Sequence, residues 1–186
     1  MIGYAFCGSF CTIQKSLKVL KQLTMEGNPV MPIMSDSVYT TDTRFGAAED
    51  LIKTVEGLCG RKIIHTIVDA EPIGPKTALD MLVICPCTGN TLAKVANGIT
   101  DTPVTMAAKA QLRSDRPVVI ALATNDALSS NFENIAALMK RKNVFFVPMA
   151  QDDPKSKPHS LVCDFERVRE TMMSAFAGRQ IQPVME

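Results

Sequence analysis

Between Pro86 and Thr91 the chain reads Pro-Cys-Thr-Gly-Asn-Thr, a run of small polar residues between an apolar stretch, Met81 to Ile84, and a helix-forming one, Leu92 to Asn97. Thr88, Asn90 and Thr91 are each suited to cap that helix, and Gly98 to stop it. A strand, a short polar loop and a helix N-terminus in succession suit an anionic or hydrogen-bonding ligand above the strand end. An ordinary strand-to-helix loop has the same make-up.

Three further polar turns have the same character. Gly8-Ser9-Phe10-Cys11-Thr12 follows the first apolar stretch, Ser35-Asp36-Ser37 the second, and Thr124-Asn125-Asp126 a later one. Gly8 allows close approach to the backbone, and Ser9 and Thr12 offer hydroxyls near a helix start. The turn lacks the second and third glycines of a dinucleotide fingerprint. If the stretches are parallel strands, Gly8, Ser9, Phe10, Thr12, Ser35, Ser37, Pro86, Cys87, Thr88, Gly89, Asn90, Thr91, Thr124, Asn125 and Asp126 line one crevice at their C-terminal ends.

No catalytic residue stands out. Acid–base chemistry in such a crevice requires a titratable side chain within reach. Asp126 and His159 are the candidates, His159 reading as an exposed loop residue and His65 as a structural one. Six cysteines, Cys7, Cys11, Cys59, Cys85, Cys87 and Cys163, are expected as free thiols. Cys7, Cys11, Cys85 and Cys87 would converge if the first and central strands are neighbours, but their spacings match no common zinc or iron–sulfur pattern. No metal site is expected.

The elements that must position these turns alternate strand with helix. Strands are expected at Ile2–Phe6, Val30–Met34, Lys62–Val68, Met81–Ile84 (ending at Pro86), Pro117–Ala123 and Val144–Val147. Helices are expected at Ile13–Met25, from Asp42 or Thr43 to Leu58, at Leu92–Asn97, at Pro103–Leu112, from Ser129 or Ser130 to Met139, and from Asp164 to Ala177. Asp69–Lys76 and Gln151–Ser160 read as loops. The fold class that follows is α/β: three layers, α/β/α, doubly wound around a mostly parallel sheet of about six strands, Rossmann-like.

A chain of 186 residues fits a single domain spanning 1–186. Its net charge of +1 carries no basic run that would ask for nucleic acid. No apolar segment approaches the roughly 20 residues of a membrane span. Met1 to Phe6 lacks the basic flank of a secretory signal, so a cytoplasmic location is expected.

Pro86 to Asp101, ending in Ala-Asn-Gly-Ile-Thr-Asp, resembles the flavoprotein family of cysteine decarboxylases and flavin prenyltransferases, with order and spacing agreeing over the whole segment. The Gly8-Ser9 turn and the Ser35/Ser37 pair fall where that family places its other flavin-contacting loops. The resemblance implies a flavin mononucleotide (FMN) cleft formed partly between protomers of a homo-oligomer. Within the family, Phe6 to Thr12, Pro86 to Asp101, Thr124 to Leu128, Phe146-Val147-Pro148 and Gln151 to Pro154 are together similar to the B subunits of dipicolinate synthases. That branch acts with a dehydrogenase-like A subunit, which carries NADP, to convert a dihydrodipicolinate-type product of the lysine pathway into the small dicarboxylate dipicolinate during sporulation.

Departures accompany the matches. The family's histidine before the central strand has no counterpart in Asp69–Gly74, and His65 lies several residues too early. The Pro-x-Met-Asn substrate clamp is replaced by Ala123-Thr124-Asn125-Asp126, and Cys87 stands in place of a small residue near the flavin. These changes count against peptidyl-cysteine or phosphopantothenoylcysteine decarboxylation. They leave a stand-alone FMN-dependent decarboxylase or prenyltransferase-like enzyme, or a non-catalytic activator of the dehydrogenase-like partner, as the alternatives.

Overall fold

A computed structural model describes residues 1–186. Seven strands form one mixed sheet: β1 (Ile2–Phe6), β2 (Val30–Met34), β3 (Met81–Cys87), β4 (Val118–Thr124), β5 (Val144–Phe146), β6 (Met149–Ala150) and β7 (Leu161–Cys163). β2, β1, β3, β4 and β5 lie side by side in parallel, with Ile2 opposite Val30 on one side and Met81 on the other. Strand order reverses between β1 and β3, so their loops leave in opposite directions and open a crevice above the carboxyl ends. Beyond its parallel pairing, β4 joins the antiparallel β7 through Ala123 and Thr124, and β7 joins β6.

Eight helices flank the sheet: α1 (Ile13–Met25), α2 (Asp36–Thr40), α3 (Ala48–Cys59), α4 (Ile67–Ala70), α5 (Gly89–Ala96), α6 (Pro103–Arg113), α7 (Phe132–Met139) and α8 (Val168–Phe176). Helices α1, α3 and α8 group on one face and α4 to α7 on the other, as right-handed crossovers running both ways from β1 and β3 require. The interior strands are buried on both faces, which explains their unbroken apolar sequence. A core of 49 buried residues runs through them.

The α/β/α expectation holds, with three corrections. Lys62–Val68 is not a strand. Only Ile64 bridges to Ile33, after which Thr66 caps α4 by accepting the Asp69 N–H. The β-branched residues there pack as a short connection rather than entering the sheet. Secondly, β3 does not stop at Pro86. Proline cannot donate, but its carbonyl accepts the Cys7 N–H at 3.1 Å, and a register shift between Ile84 and Cys87 absorbs the irregularity. Thirdly, β6 and β7, two and three residues long, flank the expected Gln151–Ser160 loop and bring the antiparallel edge.

A buried polar link fixes α1 against the two central strands. The Tyr4 hydroxyl lies 2.9 Å from Ser16 Oγ, and Ser16 Oγ donates to the Cys85 carbonyl at 2.6 Å. All three residues are buried. Ser16→Ala removes the donor to the Cys85 carbonyl, while the Tyr4 hydroxyl keeps its bond to the main-chain carbonyl of residue 16, and is expected to cost about 1 kcal/mol, read from the urea midpoint at unchanged m-value.

Candidate functional site

The polar turns of β1, β3 and β4 meet as the sequence implies. A cleft of about 630 Å³ is lined by Gly8, Ser9, Phe10, Cys11 and Thr12 after β1, Thr88, Gly89 and Asn90 after β3, and Thr124 and Asn125 after β4. That volume is in the range of small-molecule and cofactor sites.

Of the three possible caps, Thr88 takes the role. Its Oγ1 accepts the Thr91 N–H at 3.2 Å and its carbonyl the Leu92 N–H at 2.9 Å. Gly89 and Asn90 thus carry the first-turn amides left for a ligand, at the positive end of α5. Thr12 Oγ1 donates to the Ser9 carbonyl at 2.8 Å, which holds the Gly8–Thr12 turn in place.

Gly89 is required by packing. A Cβ there would lie 2.5 Å from Asn131 Nδ2, 2.6 Å from Asp126 Oδ1 and 2.7 Å from Thr124 Oγ1. Those atoms belong to one network. Thr124 Oγ1 donates to Asp126 Oδ1 at 2.6 Å, and Asn131 Nδ2 donates to Asp126 Oδ2 at 2.8 Å. Asn134 donates onward to Asn131 Oδ1 and accepts from Asn97 at the far end of α5. Asp126, a candidate base, therefore has both oxygens engaged beneath α5 and does not line the cleft.

Other sequence candidates lie near the cleft without lining it. Ser35 stands at the start of α2, where only its carbonyl accepts from the helix, its Oγ is 3.1 Å from Ser37 Oγ, and Ser37 packs behind Gly8. Pro86 and Cys87 are buried in β3, and Thr91 is buried in the first turn of α5. His65 stacks on Tyr39 at 3.7 Å between centroids, in a separate recess with Asp69, and His159 is exposed outside the cleft. No three His, Cys, Asp or Glu side chains are arranged to hold a metal ion.

The cleft also contains residues that sequence reasoning missed: Arg44, Phe45, Asp152, Lys157, Ser160 and Val162. The short β6–β7 pairing brings Asp152, Lys157 and Ser160 to β4, and no periodic signal marks strands of that length. Lys157 donates to Asp152 at 2.9 Å, and with Ser160 it holds the Asp152 carboxyl below its ordinary range. Asp152, the one carboxylate lining the cleft, is therefore ionised at neutral pH.

The chain belongs to the Flavoprotein family, whose model matches residues 1–176. It is 45% identical to the B subunit of dipicolinate synthase from Bacillus subtilis, over 99% of this chain and 92% of that one. The crystal structure of the B subunit of dipicolinate synthase from Bacillus halodurans is 44% identical and superposes with a TM-score of 0.91, covering 100% of this chain and 95% of the other. The FMN-dependent cysteine decarboxylase SpaF shares the fold at 23% identity, with a TM-score of 0.67, over 94% of this chain and 95% of its own.

The donor set passes a physical test for a flavin phosphate. The first-turn amides of Gly89 and Asn90 and the Ser9 hydroxyl converge on one cleft, whose single carboxylate, Asp152, is paired with Lys157. The thiols beneath it are inert. Burial pushes Cys7 and Cys85 up to about 11, and Cys87 and Cys163 well above the ordinary thiol range. Cys59 is half-buried and also raised to about 11, whereas Cys11 is exposed at the cleft. In the native protein at pH 8 one thiol is expected to react rapidly with a disulfide reagent, and Cys11→Ser to remove that phase. Gly89→Ala is expected to cost about 2 kcal/mol or more in chemical denaturation, because three polar atoms must move.

Proposed function

We propose that this chain acts as the B subunit of a dipicolinate synthase, with a dehydrogenase-like A subunit, converting a dihydrodipicolinate-type product of the lysine pathway to dipicolinate during sporulation. The observation that carries this reading is the 45% identity over 99% of the chain to a protein of that name. The cleft supports it through its chemistry. Gly89 and Asn90 amides at the start of α5, with the Ser9 hydroxyl, suit the carboxylate of a small diacid or the phosphate of FMN, while Thr12 and Thr88 hold the two turns that carry them.

Aromatising a dihydropyridine removes one hydride and one proton. In this proposal the hydride goes to NADP on the dehydrogenase-like partner, in keeping with the missing dinucleotide fingerprint in this chain. The proton goes to a base at the cleft, and Asp152 is the carboxylate available there. A bound FMN would supply a two-electron acceptor. The residues of this chain would then orient the ring and hold its phosphate, Ser35 and Ser37 from behind Gly8, and Pro86, Cys87, Thr91 and Asp126 from beneath α5. The whole chain, 1–186, acts as one domain in the cytoplasm, assembled as a homo-oligomer. Exposed Met173 and Phe176 on α8 offer apolar surface for assembly. No helix is long and apolar enough to cross a membrane.

A second reading, a flavin enzyme acting alone, draws on the family and the phosphate-suited donors. Mixing the chain with its dehydrogenase-like partner, dihydrodipicolinate and NADP separates the two. Dipicolinate forming only when both chains are present is the expected outcome. A chain that adds nothing to the dehydrogenase, yet purifies with a flavin spectrum, would sink the dipicolinate synthase reading. Asn90→Asp adds a charge that favours the start of α5 but repels an anion in the cleft. It is expected to keep or raise Tm and leave the complex intact while lowering turnover about tenfold or more.

A further inference from the structure

We propose that the tight turn carrying Arg44 and Phe45 is the specificity element of the cleft, selecting a planar ring that bears a second acidic group. The inference rests on the proposal that the cleft holds a small acid, and names the residue that reads the far end of that acid.

The turn joins α2 to α3 and is closed at its base. The Thr43 N–H donates to the Gly46 carbonyl at 3.0 Å, and the Gly46 N–H returns to the Thr43 carbonyl at 3.1 Å. Thr43 Oγ1 accepts the Phe45 N–H at 3.1 Å, and Asp42 Oδ1 accepts the Ala48 N–H at 2.8 Å, fixing the turn to the start of α3. Gly46 sits at φ +143°, a conformation that favours glycine. The backbone of this turn is thus fully tied down.

Its two tip side chains are not. Arg44 joins none of the ion pairs of the chain, and its guanidinium rests on the Phe45 ring, 4.9 Å from the centroid. Phe45 is 45% exposed. Both line the cleft, where the other cation, Lys157, is already engaged by Asp152. A smaller apolar recess of about 130 Å³, lined by Phe10, Leu17, Val38 and Leu51 among others, backs the turn. Phe10 and Phe45 line both spaces.

The cleft therefore brings two anion-binding features and aromatic surface into one lining. The start of α5 takes one carboxylate through amides. Arg44 is free to take a second in the two-pronged geometry that guanidinium shares with carboxylate. Phe10 and Phe45 add aromatic surface to the same cleft, against which a flat ring can pack. The ligand class is a planar six-membered heterocycle with two acidic substituents.

The test uses the full chain and two probes, pyridine-2,6-dicarboxylate and pyridine-2-carboxylate, titrated by calorimetry, with alkylation of Cys11 reporting occupancy of the cleft. Wild type is expected to bind the diacid about tenfold more tightly than the monoacid, and the diacid to slow Cys11 alkylation. Arg44→Gln is expected to bring the ratio close to one at unchanged Tm, Arg44→Lys to restore part of it, and Phe45→Leu to weaken both acids. If the diacid protects Cys11 and Arg44→Gln keeps the ratio, the role of Arg44 is overturned while the cleft reading stands. If the diacid binds without protecting Cys11, or does not bind, the cleft reading itself fails, and this inference with it.

Discussion

The fold and the cleft share one point of closest approach, where α5 begins directly above the end of β4. Only a residue without a side chain can stand there, because Thr124, Asp126 and Asn131 fill the space into which a Cβ would project. The contact does two things at once. It seats the helix through the Asp126 network, which runs from β4 along α7 to Asn97 at the other end of α5. It also sets the height at which the Gly89 and Asn90 amides open onto the cleft. A carboxylate beneath a helix N-terminus is favourable electrostatically, so the same group that orients α5 steadies it.

Much of this was readable in the sequence because it depends on long or strongly marked elements. The interior strands are covered on both faces and read as unbroken apolar runs. Thr88 and Gly98 mark the limits of α5, and the convergence of Gly8–Thr12, Thr88–Asn90 and Thr124–Asn125 follows from parallel order alone. The rest depends on contacts that leave no periodic trace. Ile64 makes a single bridge to β2, too little for β-branched residues to decide the state of Lys62–Val68. β6 and β7 are too short for alternation to show, so the arrival of Asp152, Lys157 and Ser160 at the cleft was hidden. Arg44 and Phe45 fall in the first turn of the helix expected from Asp42 or Thr43, but α3 begins only at Ala48, because the Thr43–Gly46 turn and Asp42 take up the backbone before it.

The departures from the family's decarboxylases take physical form here. Where those enzymes carry a substrate clamp, this chain has Thr124 and Asp126 bonded to each other at 2.6 Å and directed at α5. Cys87, which stands in place of a small residue, points into the interior with Cys7, Cys85 and Cys163 as neighbours and is fully buried. Neither change removes a donor from the cleft. They alter what lies beneath and beside it.

The segment from 151 to 160 leaves the sheet at β6 and returns at β7, and these two strands pair with each other. It is a closed excursion whose ends are held whatever happens between them. Loop length and side chains there can change without shifting the register of any strand, while changes at Asp152, Lys157 and Ser160 land on the wall of the cleft. This makes the segment an interchangeable part, through which the wall of the cleft can vary at little risk to the fold.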